Sequence, residues 1–108
     1  MLSVGIDTHE RMHYVEIQDE KENKLWHGKI RNIKEDFEFL IDKIKKIENS
    51  NNDRIIGIFM NPTGNYHVPL KYFLDKNNFT VYMVDARKTL HLRKMIDLFP
   101  QNLDSFLV

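Results

Sequence analysis

Ile55-Ile56-Gly57-Ile58-Phe59-Met60-Asn61-Pro62-Thr63-Gly64-Asn65 decides the architecture. The near-unbroken apolar run from Ile55 to Met60 predicts a central strand covered on both faces. Asn61 to Asn65 must then leave the sheet, because Pro and Gly interrupt regular structure and Asn favours turns. Upstream lies a helix. Ile33, Phe37, Leu40, Ile41, Ile44 and Ile47 recur at helical spacing and form one apolar stripe. Asn32 is the expected cap, with Glu35 as its reciprocal partner. Glu35, Asp36 and Glu38 lie early in this helix and Lys43, Lys45 and Lys46 late, which suits the helix dipole. The polar run Asn49-Ser50-Asn51-Asn52 ends it.

Further out, Leu2 to Ile6 is a short apolar run that ends at Asp7, as a buried strand does. His13 to Gln18 and Leu25 to Ile30 are two further strands, and Asp19 to Asn23 is a polar hairpin loop between them. On the other side, Val68 to Asp75 is a short helix with Pro69 in its first turn. Val81 to Val84 is a strand and Arg87 to Ile96 a last helix, ended by Phe99-Pro100. The order is β-β-β-α-β-α-β-α, the layout of a ribonuclease-H-like α/β domain. Right-handed crossovers place the later strands beside the first, so the sheet is expected to be mixed with helices on its faces.

The 108 residues fit one domain with a proper core. Sixteen basic and sixteen acidic side chains cancel, and 42% hydrophobic with 30% charged residues excludes a disordered polymer. There is no cysteine, which removes disulfides, thiolate metal sites and cysteine nucleophiles. No apolar run reaches the roughly 18 residues of a membrane span, and the N-terminus does not read as a signal peptide. The cytoplasm is the expected location.

The predicted topology puts Asp7 and Asn61 at the carboxyl ends of two central strands, where open α/β sheets gather ligands. Two readings of Asp7 stand side by side. It either caps a turn or offers a hard oxygen ligand to magnesium. His9 and His13 have a spacing that suggests zinc in a helix, but here they span a strand end and a loop, and no cysteine partners them. Trp26, Tyr14 and Phe59 read as core or sheet-face packing. Tyr66 suits either a nucleic-acid contact or a staple between loop and helix. Arg87, Lys88, His91, Arg93 and Lys94 concentrate positive charge, with Arg87, His91 and Lys94 on one helix side. That face suits phosphate contacts, or is an ordinary solvated flank.

Val4-Gly5-Ile6-Asp7-Thr8-His9, His13-Tyr14-Val15, Pro62-Thr63-Gly64-Asn65-Tyr66 and Val81-Tyr82-Met83-Val84 together resemble the opening, RuvC-like domain of the DEDD insertion-sequence transposases. The order and spacing match over nearly the whole chain. The resemblance implies that Asp7 is the first catalytic aspartate and a ligand of Mg2+ or Mn2+. Asn61 stands where the family has its Glu, and an amide oxygen still ligates but brings no charge and cannot act as a base. Asp104 matches the third acid and is a second metal ligand, Leu107 stands at the fourth acidic position, and Asn102 stands at the family's Lys.

Residues 1–108 thus read as one RuvC-like domain from the N-terminal part of a longer transposase, whose second domain carries a serine. The implied activity is metal-dependent cleavage and joining of DNA strands, with the domain inactive by itself. The implied partners are the DNA of element ends and target, a guide RNA in some branches, and further copies of the transposase. The alternative is a non-catalytic DNA-binding or dimerisation remnant. An actin-like ATPase, which also opens on Gly-Ile-Asp, ranks last because Thr8-His9-Glu10 follows Asp7 in place of a glycine-rich turn.

Overall fold

The computed structural model describes residues 1–62 and 64–84. Its elements in chain order are β1 (Leu2–Asp7), β2 (Met12–Gln18), β3 (Lys24–Arg31), α1 (Lys34–Asn51), β4 (Ile55–Asn61), α2 (Val68–Lys76) and β5 (Val81–Met83). The five strands form one sheet in the order β3-β2-β1-β4-β5. β1–β2 and β2–β3 pair antiparallel, while β1–β4 and β4–β5 pair parallel. The expected meander and the expected mixed sheet are both present. The helix expected over Arg87 to Ile96 lies outside the described residues.

Strand alternation sorts the sheet into two faces. Val4, Ile6, Val15, Ile17, Ile30, Ile58 and Met60 turn to one side, where Phe37, Leu40, Ile41 and Ile44 of α1 and Leu70 and Leu74 of α2 join them in a single core. Phe37 and Phe73, one from each helix, meet at 5.6 Å between ring centroids. Leu40, Ile44, Ile58, Met60, Leu70 and Leu74 are wholly buried. Each such side chain contributes on the order of 1.5–3 kcal/mol of transfer free energy. The opposite face carries Gly5, Asp7, Tyr14, Glu16, His27, Lys29 and Asn61, as the registers Gly5↔Glu16, Asp7↔Tyr14, Tyr14↔Lys29 and Asp7↔Asn61 require.

The start of α1 corrects the sequence reading. Ile33, not Asn32, holds the N-cap position in an extended conformation, with no side-chain cap. The amides of Asp36 and Phe37 donate to the Ile33 carbonyl instead. The Asp36 carboxylate reaches back to accept from the Arg31 backbone at 2.7 Å and from its guanidinium at 3.0 and 3.1 Å. Those Arg31 donors hold the Asp36 carboxyl below its ordinary range. Asn32 is thereby released, and its Nδ2 donates to the Tyr66 carbonyl at 3.2 Å. At the other end α1 runs on to Asn51 and closes on Asn52 in the left-handed region, with no basic side chain in its last turn. The late lysines therefore sit too early to meet the C-terminal dipole.

Candidate nucleic-acid and metal site

Two parallel strands end together here. Asp7 and Asn61 are register partners on β1 and β4. Thr8, wholly buried, follows Asp7 and donates twice to the Asn61 carbonyl, from its amide at 3.1 Å and its hydroxyl at 2.9 Å. This clamp fixes both strand ends at one height. The Asn61 side-chain Nδ2 faces Asp7 Oδ1 at 3.5 Å, the outer limit of a hydrogen bond. Its Oδ1 is buried without a hydrogen-bond partner among the described residues.

On its other oxygen, Asp7 Oδ2 meets His9 Nε2 at 3.1 Å. His9 lies edge-on to the Tyr14 ring at 5.2 Å, and Lys29 Nζ sits 5.3 Å from the centroid of the same ring. Behind this layer, the wholly buried His13 accepts the His9 amide on Nδ1 at 3.3 Å. Burial pushes the His13 imidazole below its ordinary pKa, against a hydrogen bond to the Asn32 side chain that raises it; His9 and His67 lower it further. A neutral His13 with its proton on Nε2 fits an accepting Nδ1. His9 and His13 therefore do not converge as a zinc pair; one ring faces Asp7 and the other anchors the turn from beneath. Neither role is visible from their spacing, though His9 two residues beyond a strand-end aspartate is the signal that marks it.

A groove of about 520 Å3 opens along the face of β1, β2 and β3, lined by Gly5, Asp7, Tyr14, Glu16, His27 and Lys29 among others. Tyr66 stands exposed on the loop after β4, tied to the start of α1 through its carbonyl. Gly64 takes a positive φ of 55° in that loop, which a side chain would strain. Phe59 stacks on Tyr82 at 5.0 Å, and Trp26 packs against Phe39 at 6.1 Å, as sheet-face and core packing require. Arg87, Lys88, His91, Arg93, Lys94 and Asp104 lie outside the described residues.

Comparison with known proteins decides the family. A family model described as transposase, of the DEDD group of the IS110 type, matches residues 4–99. The chain belongs to the DEDD transposase family. No curated protein matches it. Among solved structures, RuvC of Thermus thermophilus is similar with a TM-score of 0.53 at 11% identity, over 99% of this chain and 88% of that one. This DEDD transposase domain therefore has a RuvC-like fold. The ROK hexokinase of Thermus thermophilus is also similar, with a TM-score of 0.57 and 16% identity over 87% of this chain. So is the ethanolamine utilization protein EutJ of Carboxydothermus hydrogenoformans, with a TM-score of 0.53 and 9% identity over 87% of this chain. The chain spans only 37% and 40% of those two proteins. The fold is thus shared with a hexokinase, and the family match is what separates the readings.

The residues present fit one divalent ion in part. Asp7 supplies a carboxylate, and Asn61, on the adjacent strand end, an amide that presents Nδ2 to Asp7 and would have to turn over to offer its oxygen. Among the described residues no three of His, Cys, Asp or Glu converge. Magnesium commonly takes one or two carboxylates and completes its shell with water and phosphate oxygens, so the pair is a workable nucleus. No described helix is long and apolar enough to cross a membrane.

Proposed function

We propose that this chain is the N-terminal RuvC-like domain of a longer DEDD transposase. In this reading it binds element-end and target DNA and takes part in metal-dependent strand cleavage and joining. The carrying observation is the Asp7–Asn61 pair at the shared carboxyl ends of β1 and β4, with the Asn61 oxygen buried and unpartnered. Asp7 and Asp104 hold the ion, Mg2+ or Mn2+, with Asn61 as a weakened third ligand. Such an ion, when bound, polarises a phosphodiester for in-line displacement. Thr8 keeps the two strand ends level, and His9 orients the outer oxygen of Asp7. Arg87, Lys88, His91, Arg93, Lys94 and Tyr66 supply DNA contacts, mostly to phosphate. Further copies of the transposase, and a guide RNA, are the remaining partners in this reading.

The domain alone is inactive in this reading. Asn61 brings no charge and cannot accept a proton, and Leu107 stands at an acidic position of the family, so a pair of ions would face too few carboxylates to offset its charge. The same two departures favour a second reading, a DNA-binding or dimerisation module without chemistry. Restoring both acids with Asn61→Glu and Leu107→Asp separates the two. A catalytic scaffold gains Mg2+ and Mn2+ affinity on restoration, measured by calorimetry. Unchanged affinity for both ions supports the module.

A further inference from the structure

α2 is a short helix with apolar side chains on both of its sides. Leu70 and Leu74 are wholly buried, and Phe73 packs against the core they belong to. Val68 and Tyr72 lie one turn apart on the outer side and are 51% and 68% exposed. Tyr72 is the most exposed large apolar side chain among the described residues, and Tyr66, just before the helix, is 39% exposed. A helix that is apolar all round is normally covered all round, yet the described residues leave this side open.

Charge says what fits there. Lys71 and Asp75 flank the ridge one turn apart and pair with each other at 2.6 Å. They cancel, so a phosphate backbone gains little from them. Reversed by a two-fold axis, the same two residues complement themselves, because Lys71 of each copy meets Asp75 of the other. The chain carries sixteen basic and sixteen acidic side chains, so two copies feel no net repulsion.

We propose that the outer face of α2 pairs antiparallel with α2 of a second copy, with Tyr72 at the centre and Lys71–Asp75 contacts on either side. The inference rests on the reading that further copies of the transposase are partners, and names the surface that joins them. α2 lies on the side of the sheet opposite Asp7, so the contact leaves the strand ends open. One face of a nine-residue helix is smaller than the roughly 800 Å2 a side of a standard interface. The pair is therefore weak, with a Kd on the order of 0.1 mM.

Sedimentation of the whole 108-residue chain from about 10 µM to about 1 mM reads the association. Tyr72→Asp should weaken it about tenfold or more. Lys71→Asp and Asp75→Lys should each weaken it alone, because like charges then face each other across the axis. Mixing these two variants should restore it, since every contact between unlike copies again joins opposite charges. An effect inside one helix is not rescued by mixing, so failure of the mixture overturns the proposal. Association that ignores Tyr72→Asp lies on another surface, and only the α2 contact is then wrong. A parent chain that stays monomeric to the top of that range removes the further-copies reading of this domain as well. If Tyr72→Asp weakens binding of a DNA duplex and leaves sedimentation unchanged, nucleic acid is the occupant and the proposal falls. Far-UV circular dichroism confirms folding, which substitutions on the outer side of α2 should not disturb.

Discussion

The Thr8 hydroxyl donates to the Asn61 carbonyl at 2.9 Å, beside the Thr8 amide, which donates to the same oxygen at 3.1 Å. One carbonyl thus receives both donors of a single buried residue, and the two strands that carry Asp7 and Asn61 are locked without either side chain being consumed. Thr8→Val keeps the shape and the amide bond but removes the hydroxyl. It should cost about 1 kcal/mol in urea unfolding, whereas Thr8→Ser should cost less.

Asn61→Glu sets a second carboxylate beside Asp7. In metal-free buffer the two like charges should lower stability by about 1 kcal/mol, a fall of about 4–8 °C in melting temperature for a domain of this size. Millimolar Mg2+ should reverse the fall in the variant and shift the parent chain much less. A melting temperature indifferent to Mg2+ in the variant would argue against a shared ion at these strand ends.

His13 sets a pH dependence whose sign follows from its burial. Its folded pKa lies below the ordinary value of 6.5, so the unfolded chain takes up the proton first. Its contribution is fully present above about pH 6.5, falls as pH drops below that value, and levels off once the pH is under the folded pKa. Urea unfolding between pH 5 and 8 (about the range where His titrates) should show this slope, and His13→Gln should flatten it. The exposed Arg31–Asp36 pair acts in a lower range, because its carboxyl titrates below the ordinary carboxylate value.

Gly28 leaves room for the indole of Trp26, the single tryptophan of the chain. A Cβ at position 28 would stand 2.6 Å from Trp26 Cζ2 and 2.9 Å from Cη2. Gly28→Ala should displace the ring from Phe39, shift its fluorescence to the red and cost about 1–3 kcal/mol. An unmoved emission maximum would show that the sheet yields in place of the indole.

Most of the fold was legible because its signals are local. The apolar runs Leu2 to Ile6 and Ile55 to Met60 mark the two central strands, and the stripe from Phe37 to Ile44 marks the helix face that packs on one side of them. Asn32 was misread because a capping box is a pattern of residue types, while Asp36 with three Arg31 donors wins on geometry. The adjacency of Asp7 and Asn61 followed from topology. The links of His9 to Asp7 and of His13 to the His9 amide did not, since they depend on which way a loop turns after the strand ends. The transposase family was legible in the loop and strand motifs, which the family match bears out.

The strand order also bears on when the site can exist during synthesis. β1, β2 and β3 pair with near neighbours in the chain, so that meander can close early. The Thr8–Asn61 bond spans 53 positions. Contacts of that separation carry a larger loop-closure cost and tend to form late. A nascent chain that has not yet released β4 from the ribosome therefore holds Asp7 beside Tyr14 and His9 but without Asn61, and the pairing of the two strand ends waits for β4.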